Sequence, residues 1–439
     1  MKHHCKYVSK RLALLLMVLF VGTFTLTGCG SGGGSDDYDA PETGDTAPVE
    51  GQTDNVLIDA ATLKSWIDAG KVNSTTTYDN VVILQQKGYS TGHIEGAQEW
   101  SVSGIDRIEG PIMSGNMVPD GEFMDAAIQE RGIREGSTIV FMGNNSERIY
   151  FFFRYWGFPK EQLKVLNGGT SAWEAAGYDL TTVVPRVAES SFSVKDLPNG
   201  PDADCRAALS EMIQMVANDS VVPFATFART SDVTKALITD TVSEEDDGRS
   251  GYVIFQGRMA GLIQDESLFQ SYLNGGSYNI STGLYNADGT YKSKADMVAY
   301  LNSLGIDGSK PIATYCRAGN LAANGFTPMD VVLDDWDIML YDGSWSQWGS
   351  LTNYTDVPSA DYALPTGYEE WATDVLTPTI SYNADLGADI YKPDFFEAPK
   401  SPYDAEANTL EDEDYEYWST PAESGGASGP VSGGGGGGC

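Results

Sequence analysis

The chain has 439 residues and a formal charge of −35, from 27 basic and 62 acidic residues. That length allows two or more domains with sizeable cores, and that charge excludes a nucleic-acid partner, which needs basic patches. Of three histidines, His3 and His4 lie near the N-terminus, so His93 alone remains and a histidine-based metal site or Ser/His triad is excluded; no metal or cofactor is expected.

In chain order, Met1 to Lys6 and Lys10-Arg11 are basic, and an apolar run follows from Leu12 to Thr27. This is the pattern of a signal peptide, and the apolar run is short for a membrane span. It ends in Leu26-Thr27-Gly28-Cys29, which resembles the lipobox of bacterial lipoproteins. The resemblance implies cleavage of residues 1–28, lipidation of Cys29 and a membrane anchor. Gly30 rather than Asp after that Cys points to the outer membrane, on its periplasmic or outer face. Residues 29–54 are rich in Gly and Ser, then acidic, without apolar periodicity, and read as a flexible tether.

A first domain is expected over residues 55–182. Ala60 to Ala69 fits a short amphipathic helix. Val81-Val82-Ile83-Leu84 is an apolar, β-branched run, the mark of a buried parallel strand. Gly92-His93-Ile94-Glu95-Gly96-Ala97 follows; its glycines allow a tight turn back to the sheet, and His93 is read as structural there, with contact to a substrate as the alternative. Ser137 to Phe141 is the next strand, then Met142 to Arg148, which holds no Cys. A helix from Ile149 to Trp156 and the run Leu166-Asn167-Gly168-Gly169-Thr170-Ser171-Ala172-Trp173 complete the domain. Strands alternate with helices throughout, the pattern of an α/β fold with a mostly parallel sheet flanked by helices.

A second domain is expected over residues 183–355, entered through a Pro- and Gly-containing linker that ends near Asp202. It opens with a helix from Cys205 to about Asn218 and a strand from Val221 to Thr230. An insertion rich in Asp and Glu leads to Gly257-Arg258-Met259-Ala260-Gly261-Leu262. Lys292 to Leu304 reads as a helix, with Gly305 just past its end. Pro311 to Thr314 is a short strand, and Tyr315-Cys316-Arg317-Ala318-Gly319-Asn320-Leu321-Ala322 follows it. A Cys that opens a Gly-containing loop between strand and helix is well placed as a nucleophile. Loop N–H groups and the helix dipole favour the thiolate, the reactive form. The competing reading is a buried structural Cys at a strand end.

Residues 356–439 form an acidic tail in which only Lys392 and Lys400 oppose the carboxylates, with one dense cluster at Glu411 to Trp418. Two readings stay open: a solvated tail, or a strap that docks on the domains or a partner through its aromatics. The last residues, Gly433 to Gly438 and Cys439, form a Gly arm ending in a thiol; it is read as an end without a role, or else as a swinging thiol, an attachment point or a processing signal.

The pair Cys316-Arg317-x-Gly319-x-x-Ala322 and Tyr341-Asp342-Gly343-Ser344-Trp345-Ser346-x-Trp348-Gly349 resembles the catalytic C-terminal domain of tandem rhodaneses, the thiosulfate and 3-mercaptopyruvate sulfurtransferases. The G-H-I-x-G-A and L-N-G-G-x-x-A-W runs resemble the same family in the first half, so the two halves read as a divergent repeat over residues 56 to about 355. The resemblance implies two rhodanese-like domains, the first without its nucleophile. It implies a pocket between them that the Cys316 loop faces, and sulfane-sulfur transfer through a Cys316 persulfide. The donor would be a small sulfur-containing anion such as thiosulfate, the acceptor a thiol or cyanide. Arg317, the backbone of Ala318, Gly319, Asn320 and Leu321, and Arg229 are the substrate-binding candidates. Arg229 falls on the Arg of the family's D-x-R, with Phe227 on its Asp; a register on Asp240 keeps the Asp and loses the Arg. In the first domain that motif reads Gln85-Gln86-Lys87. The loop departs from the family's C-R-K-G-V-T and C-G-S-G-V-T forms, and Pro328 lies in the following helix, where it should kink the chain. The alternative reading is a rhodanese-like lipoprotein with an envelope protein partner, in electron transfer or in selenite or tellurite handling.

Overall fold

The structure is a computed structural model that describes residues 56–101, 107, 117–143, 146–202, 204–226, 257–259, 261–265, 267, 281–316, 319–344, 347, 373–375 and 409–421. Two parallel sheets with flanking helices make up the body. The first contains β1 (Leu57–Ile58), β2 (Val81–Gln85), β3 (Gln98–Glu99), β4 (Thr138–Met142) and β5 (Leu163–Leu166), in the order β1-β5-β4-β2-β3. All four pairings are parallel. Burial on both faces explains the continuous apolar runs: every residue of β2, β4 and β5 is buried.

The connections are helical. α1 (Ala60–Asp68) is capped by Asp59, whose carboxylate accepts the Thr62 N–H at 2.7 Å. That bond lowers the Asp59 pKa. α2 (Gly121–Glu130) is capped in the same way by Asp120. α3 (Glu147–Tyr155) follows β4, and α4 (Gly169–Ala175) follows β5.

The second domain opens differently from the helix expected at Cys205. Cys205 to Ala208 run extended beside a strand: Ala207 N–H donates to the Leu340 carbonyl at 3.0 Å, and Leu340 N–H to the Cys205 carbonyl at 2.9 Å. α5 starts only at Leu209 and ends at Ala217. The side chain of Glu211 accepts the Ala208 N–H at 3.1 Å and fixes that start. The second sheet contains β6 (Val222–Ala225), β8 (Ile263–Gln264), β9 (Ile312–Tyr315) and β10 (Ile338–Leu340), in the order β10-β9-β6-β8, again all parallel. β7 (Gly257–Met259) pairs antiparallel with β11 (Thr373–Val375) from the C-terminal region. α6 (Lys294–Ser303) ends in a Schellman pair, Gly305 N–H to the Asn302 carbonyl and Ile306 N–H to that of Leu301. α7 (Ala323–Val332) follows β9.

The strand orders superimpose as a repeat, with β5, β4, β2 and β3 matching β10, β9, β6 and β8. The extended Arg206, bridged to Leu340, holds the place of β1. The register aligns Asn167 with Asp342, Gly169 with Ser344 and Gly143 with Cys316.

One apolar core runs through both domains, from Phe141 and Phe153 to Phe326 and Leu340. α3 and α7 pack across the junction, with Phe151 and Phe326 edge-to-face at 5.1 Å. Asp330 of α7 accepts from Tyr150 Oη at 2.6 Å and from Arg154 Nε at 3.2 Å. α7 is helical through Pro328, which cannot donate to the Asn324 carbonyl four residues back. The Tyr285 hydroxyl donates to that carbonyl instead, at 2.9 Å. Burial and the Glu147 carboxylate push the Tyr285 pKa up, which keeps it a donor.

Part of the acidic tail lies among the described residues. α8 (Thr409–Ser419) lies on both domains. Tyr417 and Trp418 sit over Gly121 and Gly200, where an added Cβ would collide with their rings. Tyr417 Oη donates to Asp125 at 2.7 Å and Trp418 Nε1 to the Leu197 carbonyl at 2.9 Å. The segment after the first domain is fastened beside them, with Val194 N–H and Ser193 Oγ on the Asp125 carboxylate.

Candidate active site

Cys316 stands at the carboxyl end of β9, the second strand of its four-stranded sheet, and is 2% exposed. Its N–H donates to Ser344 Oγ at 3.2 Å, and that hydroxyl donates to the Tyr341 carbonyl at 2.9 Å. Ser344 has φ +50°, a left-handed conformation that costs a non-glycine residue about 1 kcal/mol. Its first-domain counterpart at that position is Gly169, with φ +58°. The second domain bears that strain and gains a hydroxyl that holds the Cys316 amide.

The loop from Cys316 to Ala322 is pinned at several points. Gly319 has φ +86°, and a Cβ there would overlap the Asp342 carbonyl. Thr226 Oγ1 lies 3.1 Å from the carbonyls of both Tyr315 and Leu321. The N–H groups of Gly319, Asn320 and Leu321 have no acceptor among the described residues. Gly319 is buried, Leu321 partly so, and Asn320 exposed. Arg317, Ala318 and Arg229 lie outside the described residues, as do Cys29, the 29–54 tether and Cys439.

Sequence reasoning missed two arginines. Arg148, on α3 of the first domain, donates from Nη1 to the Gly319 carbonyl at 3.2 Å. Its guanidinium also lies over the rings of Phe151 and Phe152, at 5.1 and 5.0 Å. Burial pulls Arg148 down to about 10, against the pull of Asp342 and the Cys316 sulfur, so it stays charged at neutral pH. Arg206 is fully buried and donates from Nε and Nη2 to the Asp342 carboxylate at 3.1 Å. Asp342 also accepts the Val118 N–H at 2.9 Å. The only local signal for Arg148 was a charged residue in the nucleophile-less loop, and for Arg206 a lone Arg in an apolar run.

His93 is buried, stacked on Tyr89 at 3.9 Å, and its ring nitrogens face the Tyr89 and Val183 carbonyls at 3.0 and 3.1 Å. It locks the turn after β2, and Gln85, where the family has Asp, braces the same turn through the Lys87 and Gly92 carbonyls. The first domain lacks more than the Cys: four residues (143–146) join β4 to α3, against seven (316–322) between β9 and α7.

A repeated parallel sheet with one Cys loop at a central strand end defines a two-domain sulfurtransferase architecture. No family model matches the chain. Curated relatives do. One from Mycolicibacterium smegmatis, named "Putative thiosulfate sulfurtransferase", is 26% identical over 60% of this chain and 85% of its own. A protein of the same name from Haloferax volcanii is 24% identical over 68% and 94%. The sulfur carrier protein TtuD of Thermus thermophilus is 25% identical over 67% and 94%. The solved structure of YnjE, at 18% identity, covers 67% of this chain and 66% of its own with a TM-score of 0.50, and shares the fold. The chain is thus similar to curated sulfurtransferases over 85–94% of their length, and its two parallel sheets flanked by helices form a rhodanese-like fold.

Proposed function

We propose that this protein moves sulfane sulfur through a persulfide on Cys316. The Cys316 thiolate attacks the outer sulfur of a donor such as thiosulfate. The donor S–S bond breaks and sulfite leaves with the bonding pair, which leaves Cys316 as a persulfide anion. An acceptor thiolate then attacks the outer sulfur, leaves as its own persulfide, and restores the Cys316 thiolate. Both steps pass negative charge across the loop, where fixed donors lower the barrier.

The observation that carries this reading is the setting of Cys316. It opens a loop whose described N–H groups at 319–321 have no acceptor among the described residues, backed by the charged Arg148. The names of the M. smegmatis and H. volcanii relatives support thiosulfate as donor, and that of TtuD, a sulfur carrier protein, supports sulfur held on the protein. The test is mass spectrometry of Cys316 after exposure to thiosulfate, mercaptopyruvate or polysulfide. Sulfur added at Cys316 and absent from Cys316→Ser is the expected result; no added sulfur with any of the three donors sinks the proposal.

The lipobox at Leu26 to Cys29 supports a second element of this reading, a lipid-anchored protein of the cell envelope. Labelling with a palmitate analogue should mark the wild type and not Cys29→Ser. Equal labelling of both removes the anchor from the proposal.

A further inference from the structure

We propose that α8, the acidic helix near the C-terminus, is part of the active-site machinery, with Glu411 as a positioning residue for the Cys316 loop. The inference rests on the reading of Cys316 as the persulfide carrier. It starts from a buried charge cluster that sulfur transfer as such does not require.

Glu411 accepts from Arg206 Nη1 at 3.1 Å, with the Arg206 side chain fully buried and that of Glu411 9% exposed. The other edge of the same guanidinium, Nε and Nη2, holds Asp342 at 3.1 Å. A planar guanidinium that engages two carboxylates on two edges fixes their relative positions, which a lysine could not do. Asp342 belongs to the turn that ends in Ser344, and Ser344 Oγ receives the Cys316 N–H. An unbroken path therefore runs from the tail helix to the backbone of the nucleophile: Glu411, Arg206, Asp342, Ser344, Cys316.

The arrangement is asymmetric in a way that isolates Glu411. Each domain donates a backbone N–H to the other's matching turn. Val118 donates to Asp342, and Tyr291 donates to Asn167 at 2.7 Å. The first domain, without a Cys, has a neutral Asn there. The second has a carboxylate, and Arg206 balances its charge. Removing the Glu411 carboxylate would take a charged acceptor from Nη1 of a buried guanidinium, a costly change. Arg206 and its grip on Asp342 would shift in response. The rest of α8 is held by other contacts, including Asp414 on Arg107 Nη1 at 2.7 Å and Tyr417 on Asp125. The helix can therefore stay docked when Glu411 changes.

The test uses the full chain and two readouts, one of which needs no sulfur donor. Glu411→Ala should slow the maximal rate of persulfide formation from thiosulfate about tenfold at unchanged half-saturation. The same variant should speed hydrogen exchange of the Cys316 amide about tenfold while the α8 amides stay protected. Glu411→Gln keeps an acceptor oxygen for Arg206 and should restore both readouts to within about twofold. Glu416→Gln, at an exposed site on α8, should change neither. A Cys316 amide that exchanges as in the wild type in Glu411→Ala overturns the proposal, as does a Gln variant no better than Ala. If the wild type forms no persulfide, the sulfur-transfer reading fails, and amide exchange still decides the coupling.

Discussion

Arg148 Nη1 donates to the Gly319 carbonyl across 3.2 Å, which places a buried cation of the first domain directly behind the Cys316 loop of the second. On the proposed sulfur transfer, the domain without the Cys thus supplies charge beside the loop across which an anion would pass. It also explains why the halves share one core: the cation is useful only if α3 and α7 stay packed, as Phe151 on Phe326 and Tyr150 on Asp330 keep them.

Replacing Arg148 with Met keeps bulk and removes the charge and the donor. A hydrogen bond from a charged group is worth about 1.5–3 kcal/mol. Arg148→Met should therefore lower the rate of persulfide formation at Cys316 roughly tenfold to hundredfold. The Gly319 carbonyl loses a donor, at about 1–3 kcal/mol of stability, so the melting temperature should fall by several degrees. Single-turnover kinetics with calorimetry checks both; an unchanged rate would remove Arg148 from the reaction.

The first domain should resist reactivation. Gly143 occupies the position of Cys316, but its loop is three residues shorter (143–146 against 316–322), and a Cβ there would lie 2.9 Å from the Leu166 carbonyl. Gly143→Cys in a Cys316→Ser background should take up no sulfur from thiosulfate. It should also lose about 1–3 kcal/mol of stability from overpacking. Mass spectrometry and urea denaturation measure the two effects. Sulfur found on residue 143 would show that the missing thiol alone silences this domain.

What the sequence disclosed and what it hid divide along contact distance. The Cys316 loop and the Tyr341 to Gly349 run are local patterns, and the strands around them are continuous apolar runs, so sheet and loop position were legible. Arg148 acts on a residue 171 positions away, and nothing near it announces that contact. Arg206 was assigned to a helix because Ala207 to Ala217 favours one. Its extended conformation is set by pairing with Leu340, which lies 134 positions later. The acidic cluster of α8 has no apolar period, since its anchors are carboxylates on Arg107 and Arg206 and two rings over glycines.

Pro328 and Tyr285 should be energetically coupled. Tyr285→Phe removes the hydroxyl that donates to the Asn324 carbonyl, at about 1–2 kcal/mol. Pro328→Ala restores an N–H that can reach that carbonyl within the helix. In the double variant the cost of Tyr285→Phe should fall by about 1 kcal/mol relative to its cost in the wild type. A denaturation cycle on the four proteins reads this directly. Strict additivity would mean that the Tyr285 hydroxyl does not substitute for the missing helix bond.

The docking of α8 should strengthen as pH falls from 7 to 5. Asp414 is buried between Arg107 Nη1 at 2.7 Å and Tyr155 Oη at 2.6 Å. Burial nonetheless pushes its carboxyl up to about 6, outweighing Arg107, the Tyr155 hydrogen bond and Arg206. An unfolded or undocked Asp titrates near 3.8. Between those values the docked helix holds a proton that the free one does not. The stabilisation from this group is therefore complete below about 3.8 and is lost as pH rises through about 6. A gap of about two pH units corresponds to roughly 3 kcal/mol at full extent. Asp414→Asn, a neutral mimic of the protonated acid, should hold its stability across this range while the wild type loses stability on passing from pH 5 to 7. Amide exchange of residues 409–419 in both proteins, corrected for intrinsic pH dependence, measures the difference. Parallel curves from pH 5 to 7 would show that Asp414 is charged when docked, and that Arg107 rather than burial governs it.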